Sequence, residues 1–218
     1  MQKIKVDVVS DVVCPWCYIG KRRLEKAISE LKDEFDFEVN YLPFELNPNM
    51  PKEGKNQEEY LTIKFGGPER YKQLTDNVTN IAEEEGLRFD YNKQQISPNT
   101  RDAHRLIWLA SQEGVQHAVK EALLKAYFEQ GVDLTKKENL LELVTAAGLD
   151  RDTAATMLDS EDGLVEVEYL ESLSRERGVS GVPFYIVNDK YGISGAQPSS
   201  SFVSAFRDIS EKSIVGKE

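Results

Sequence analysis

The sequence predicts an α/β protein: a mixed four-stranded sheet interrupted by a large block of helices. Three observations predict it. Residues 4–9 are a β-branched run, residues 15–31 switch to helical apolar spacing, and residues 37–44 return to β character, which makes a β-α-β unit. Residues 184–187 and 191–194 flank the turn signal Asn188-Asp189 and precede an amphipathic stretch over 199–209, which makes a β-β-α unit. Between the two units, residues 56–177 carry a helical pattern. Joined together, the units form a mixed sheet with helices on both faces.

The first strand is broken only by Lys5 and Asp7, as suits a central position. In the first helix Ile19, Leu24, Ala27, Ile28 and Leu31 share one face. Residues 47–56 hold Pro48, Pro51 and Gly54 and are expected to form a loop or crossover. In the helical block, Asn56 with Glu59, Asn99 with Asp102 and Thr135 with Glu138 have capping-box spacing. Gly86, Gly114, Gly131, Gly148 and Gly178 are expected to stop helices. Ile107, Ala110, Leu123, Leu124, Ala126, Tyr127, Leu140, Leu141 and Val144 supply its apolar faces, with Trp108 and Phe128 expected in the core. The last helix turns Phe202, Val203, Phe206 and Ile209 inward.

A chain of 218 residues can bury a substantial core without disulfide staples. Its net charge of −11 argues against nucleic acid as a partner. The cluster Lys21-Arg22-Arg23 is expected to be a solvated helix face. Residues 1–5 lead straight into a strand, with no apolar signal region and no small-residue cleavage site. No apolar run approaches the roughly 18–20 residues of a membrane span. The expectation is a cytoplasmic protein with no membrane partner.

The only two cysteines stand in Cys14-Pro15-Trp16-Cys17, after a strand and at the start of a helix. Helix N-terminal N–H groups and the helix dipole stabilise a thiolate there. In a reducing compartment such a pair is more often catalytic or metal-binding than structural. Zinc requires four ligands, and His104 and His117 have no paired spacing, so no metal is expected. Pro15 suits the first helical position because its missing N–H would have no partner there. Cys14 then sits at the exposed end as the attacking thiol, and Cys17 one turn inward as the resolving thiol. Lowering a thiol pKa by about three units raises the thiolate fraction about 30-fold, while intrinsic nucleophilicity falls by about 20-fold. The larger consequence is a better leaving group and a more stable reduced form, which favours an oxidase or isomerase.

Five motifs then narrow the reading. Residues 10–21 (SDVVCPWCYIGK), 44–48 (FELNP), Asn99 with residues 103–106 (AHRL), 178–184 (GVSGVPF) and 193–198 (ISGAQP) follow in that order. Together they resemble the FrnE-type branch of the DsbA-like oxidoreductases, relatives of 2-hydroxychromene-2-carboxylate isomerase and kappa-class glutathione transferase. The resemblance runs from about Lys3 to Phe206. It implies a thioredoxin fold, with residues 1–50 and 165–218 as the thioredoxin-like domain and 51–164 as an inserted α-helical domain. The redox site would lie in the groove between them. It also implies a cis Pro183 facing the cysteines, leaving the Val182 backbone free to pair with an extended substrate.

Pro15, Trp16, Val182, Pro183 and His104 are the expected substrate-binding residues, with Asp11 and Asp7 as expected proton relays for Cys17. The expected redox group is the Cys14–Cys17 disulfide itself, with no bound cofactor and glutathione as a redox partner. Substrates are protein or small-molecule thiols and disulfides, and the chain is expected to be a monomer or homodimer. Two other functions compete. Glutathione-dependent isomerases and transferases of the wider family carry Ser where Cys14 stands, and an Asp where this chain has Gly195-Ala-Gln-Pro198. A chaperone-like binding module would use the groove without turnover and would tolerate Cys14→Ser.

Overall fold

The central strand is β1 (Gln2–Ser10), pairing in parallel with β2 (Phe35–Pro43) and antiparallel with β5 (Phe184–Val187). A computed structural model describes residues 1–215, with side chains described through residue 212. Strand β6 (Tyr191–Ser194) closes the order β2-β1-β5-β6. The β5–β6 connection places Asn188 and Asp189 both at positive φ, the centre of a type I′ turn that the Lys190 N–H closes on the Val187 carbonyl at 3.1 Å. Helices α1 (Pro15–Leu31) and α9 (Ser199–Val215) pack against each other on one side of this sheet.

Between β2 and β5 run the short ribbon β3 (Lys55–Asn56) and β4 (Ile96–Ser97), and the helices. These are α2 (Gln57–Phe65), α3 (Pro68–Glu84), α4 (Arg101–Gln112), α5 (Gln116–Lys125), α6 (Lys137–Ala146), α7 (Arg151–Asp159) and α8 (Leu164–Glu176). A π-helical turn, Ala126–Gln130, extends α5. The five expected helix-stop glycines all have positive φ. Two expected caps differ. Asn56 accepts the Glu59 N–H as foreseen, but Asn99 bonds to the Arg101 N–H and the α4 cap is Thr100. The Thr135 hydroxyl donates to Asp133, and Lys136 precedes α6. In both segments a short-range Asx or hydroxyl contact takes the side chain the box pattern had reserved.

The strand period separates two apolar faces on β1. Ile4, Val6 and Val8 meet Ile19, Leu24, Phe202 and Phe206, and this core continues without a break to Leu106, Leu123 and Leu140. Val9 belongs to a smaller cluster with Phe44, Val179 and Ile186 on the opposite face. Strand β2 is an edge, and α5 covers it. The Gln116 amide donates to the Tyr41 carbonyl and accepts its N–H, both at 2.9 Å, and His117 Nε2 lies 2.8 Å from the Val39 carbonyl. Unpaired strand groups are thereby satisfied rather than left open to another chain.

The cluster Lys21-Arg22-Arg23 is not a solvated face. Lys21 is buried and pairs with Glu25 and with Glu121 at 2.6 Å. Arg22 also reaches Glu121, and Tyr18 donates to the same carboxylate at 2.8 Å. Arg23 bonds to Glu85 and to the Ala196 carbonyl, each at 2.7 Å. At about 100° per residue, three consecutive helical positions span too wide an arc to share one solvent face. The three cations instead fasten α1 to α5, to the end of α3 and to the β6–α9 loop. Among the described residues, no helix is long and apolar enough to cross a membrane.

Candidate functional site

Cys14 is the N-cap of α1, in extended conformation, with Pro15 next as the first helical residue. The Cys14 N–H reaches the Asp11 carbonyl at 3.4 Å, and the Cys17 N–H reaches the Cys14 carbonyl at 3.0 Å. This tight first turn stacks the two thiols one above the other at the helix start. Both cysteines are free thiols. The expectation of an exposed Cys14 needs correction: it is only 4 % exposed, close to the 3 % of Cys17. Val182 covers it from the strand side, and Cys14 Sγ donates to the Val182 carbonyl at 3.6 Å. The Val182–Pro183 peptide bond is cis. Burial pushes the Cys17 thiol well above its ordinary value, and the hydrogen bond and charge of Cys14 push the same way.

Cys14 opens onto a cavity of about 380 Å³. Pro15, Trp16 and Val182 line it from the sheet side, Leu46 and Met50 from the loop after β2, and Tyr60, Leu61 and Phe65 from α2. Trp16, Leu46 and Phe65 are each between a third and two-fifths exposed, an apolar rim beside a buried thiol. A larger hollow of about 840 Å³ is lined by polar groups including Asp76, Asn80, Asn92 and Gln95. It contains neither cysteine, so the chemistry belongs to the smaller cavity. Among the described residues no cluster of three or more His, Cys, Asp or Glu side chains is arranged to hold a metal.

Asp11 and His104 meet behind the thiols. Asp11 Oδ1 lies 3.2 Å from His104 Nε2, and Oδ2 accepts the Leu46 N–H at 2.8 Å. An ionised carboxylate only accepts, so His104 Nε2 carries the proton and donates. Burial alone would raise the Asp11 carboxyl, but the hydrogen bond and charge of His104, with the Leu46 N–H, hold it below the usual carboxylate value. His104 is not among the residues lining the cavity, and it reaches the site only through Asp11. Asp7 is not brought to the thiols. It shares the face of β1 opposite Val8 and α1, and its carboxylate is engaged by Lys5 at 3.0 Å and Asn40 at 3.2 Å. A two-residue period separates Asp7 from the helix that carries the cysteines.

A DsbA-like thioredoxin domain model matches residues 5–207. The chain belongs to the DsbA-like thioredoxin family. Its similarity to a probable DsbA oxidoreductase from Streptomyces coelicolor is 33 % in sequence, with a TM-score of 0.86 over 93 % of this chain and 88 % of that one. It shares a fold with 2-hydroxychromene-2-carboxylate isomerase, at 18 % identity and TM-score 0.70, covering 96 % of this chain and 98 % of that one. The cytosolic disulfide reductase DsbM from Pseudomonas aeruginosa, in a structure with GSH, shares the fold at 14 % identity and TM-score 0.63, covering 96 % of this chain and 98 % of that one.

Two features of this DsbA-like site escaped the sequence. Lys120 on α5 is 1 % exposed and within electrostatic reach of Cys17, Cys14 and Asp11. Its signal was there: it falls on the same helix stripe as Val119, Leu123 and Leu124, and a charged residue inside an apolar stripe is buried with a partner or a task. The second is Gly20, where α1 meets β5. A methyl group added there would lie 2.3 Å from the Tyr185 hydroxyl oxygen.

Proposed function

We propose that this chain is a thiol–disulfide oxidoreductase that exchanges disulfides through Cys14 and Cys17. The observation that carries the reading is the placement of Cys14 Sγ: at a helix N-terminus, against the Val182 carbonyl, at the wall of an apolar cavity, with Cys17 behind it. Cys14 as thiolate attacks one sulfur of a substrate disulfide. The substrate S–S bond breaks, one substrate thiolate leaves, and a mixed disulfide forms on Cys14. Cys17, once deprotonated, attacks Cys14 Sγ and expels the second substrate thiolate. Two electrons pass to the substrate and the Cys14–Cys17 disulfide closes. The reverse sequence oxidises a dithiol.

Pro15, Trp16 and Val182 contact the substrate, with Pro183 positioning the Val182 carbonyl for backbone pairing with an extended segment. The cavity falls in the volume range of small-molecule sites, so protein disulfides and small thiols such as glutathione are both substrates or redox partners in this reading. Asp11 and His104 position the turn before Cys14, and Asp7 has no part. Retention of Cys14 sets the reading apart from glutathione isomerisation, because the chain brings its own nucleophile.

Trapping tests it. Cys17→Ser incubated with oxidised glutathione or a disulfide-bonded peptide accumulates a mixed disulfide at Cys14, read by intact mass and peptide mapping. Cys14→Ser accumulates none. A Cys17→Ser protein that forms no adduct under native conditions overturns the proposal.

A further inference from the structure

We propose that Glu45 is a positioning residue that holds Leu46 as a wall of the thiol cavity and thereby sets the affinity for substrate, an assignment that rests on the dithiol reading above. Residues 44–54 join β2 to β3 without regular secondary structure, so side chains and neighbouring elements must fix their place. Their first residues are held from α4 and α8. Glu45 is 2 % exposed, and Arg101 of α4 donates to its Oε1 from Nε at 3.0 Å and from Nη2 at 2.9 Å. The Glu45 N–H donates to Glu171 of α8 at 2.5 Å. Arg175, one turn further along α8, bonds to the other Glu171 oxygen at 3.2 Å and lies 5.4 Å from the Phe44 ring centroid. The next two residues reach the cavity. Leu46 lines it, and its N–H donates to Asp11 in the turn before Cys14 at 2.8 Å. Asn47 donates to the hydroxyl of Tyr60, a cavity residue on α2, at 3.0 Å. Three consecutive residues thus tie the α4–α8 wall, the cysteine turn and α2 together, and Glu45 is their anchored end.

Stability alone does not account for this arrangement. Glu45 and Glu171 bring two carboxylates into one buried cluster. Both Arg101 bonds fall on one Glu45 oxygen, and the other, Oε2, is buried with no hydrogen-bond partner among the described residues. A buried ion pair with an oxygen left unsatisfied stabilises a fold less than well-packed apolar side chains of the same volume. What the pair supplies is direction. Two charge-assisted bonds from a rigid guanidinium hold at one distance and angle, whereas an apolar side chain in the same place lets the loop slide. Leu46 needs that placement, because an apolar wall beside a thiol adds affinity only where it meets the substrate carrying the disulfide.

The test uses the full-length reduced protein and an apolar cysteine peptide activated as its mixed disulfide with 5-thio-2-nitrobenzoate. Attack by Cys14 releases the coloured thiolate, and its dependence on peptide concentration gives a half-saturating concentration and a limiting rate. Glu45→Leu keeps the volume and loses the pairing; it raises the half-saturating concentration about tenfold, the order of one displaced apolar contact, with the limiting rate within about twofold of wild type. Glu45→Gln keeps an acceptor for Arg101 and restores most of the affinity. Leu46→Ala alone weakens binding by a similar factor, and adding it to Glu45→Leu weakens binding no further, because the contact is already lost. Alkylation of Cys14 by iodoacetamide, which needs no cavity wall, keeps its wild-type rate throughout. An unchanged half-saturating concentration in Glu45→Leu, effects of the two substitutions that multiply, or an equal loss in the alkylation rate overturns the assignment. If Glu45→Leu does not fold, Arg101→Lys, which keeps the charge and loses the two-point fork, takes its place in the same cycle. The dithiol reading fails differently: wild-type protein then releases no coloured thiolate, or Cys14→Ser releases it at the wild-type rate.

Discussion

Gly20 sits where α1 packs against Tyr185 of β5, and the structure fixes the sign of a substitution there. An added Cβ would lie 2.3 Å from the Tyr185 hydroxyl oxygen and 3.2 Å from Pro183 Cγ. Two effects oppose each other in Gly20→Ala. Replacing a helical glycine gains about 0.5–1 kcal/mol of helix propensity. Forcing a methyl into filled space costs about 1–3 kcal/mol. The clash wins because the obstructing atom ends a rigid ring that is itself fully buried, so it has nowhere to swing. The expected net loss is about 1 kcal/mol. The same oxygen has no hydrogen-bond partner among the described residues, so Tyr185→Phe removes a buried polar atom at little cost or with a small gain. In the Tyr185→Phe background the main obstruction is gone, and Gly20→Ala becomes neutral or stabilising. Urea unfolding of the four proteins in this cycle measures the coupling, expected at about 1–2 kcal/mol. A Gly20→Ala protein more stable than wild type, or a penalty undiminished without the hydroxyl, refutes the packing argument.

Two other consequences concern buried charge. Burial alone would raise the Glu121 carboxyl, but hydrogen bonds from Arg22 and Lys21 outweigh it and hold its pKa at about 2. A depressed carboxylate stabilises the fold above its unfolded pKa and loses that contribution as pH falls toward the folded value. Glu121→Gln is therefore expected to cost about 2–3 kcal/mol near neutrality and to flatten the stability profile between about pH 4.5 and pH 2, as read by denaturant midpoints across pH. His104→Ala leaves the buried Asp11 carboxylate with the Leu46 N–H as its one side-chain hydrogen bond among the described residues, at an expected cost of about 3 kcal/mol. Asp11→Asn in the same background recovers part of that loss, and a His104→Ala protein of wild-type stability contradicts the pairing.

What the sequence made legible was local. The β1–α1–β2 run, the hairpin at Asn188-Asp189 and the last helix follow from period and turn chemistry; the first two lie within about two residues of their expected bounds, and the last helix starts at Ser199 as expected but runs on to Val215. The cysteine pair was legible for the same reason, since a strand end, a proline and a helix start are adjacent in the chain. The contacts that complete the site join distant segments. Asp11 meets His104 across 93 positions and Cys14 meets Val182 across 168. Lys21-Arg22-Arg23 is ordinary surface composition until α5 supplies Glu121 and the α3 end supplies Glu85. Cys14 is buried because Val182 returns to it, which no helix-start argument contains. The continuous core from Ile4 to Leu140 likewise shows that the helices are packed into the sheet rather than set beside it.

The central claim is that Cys14 and Cys17 cycle as one two-electron pair. Equilibration of the protein across a series of reduced-to-oxidised glutathione ratios, followed by acid quenching and mass analysis, measures this directly. The account predicts an intramolecular Cys14–Cys17 disulfide that forms along a single two-electron curve; its midpoint would mark an oxidant near about −120 mV or a reductant near about −270 mV. Cysteines that stay reduced at every ratio, or that take up glutathione separately without joining, would contradict it.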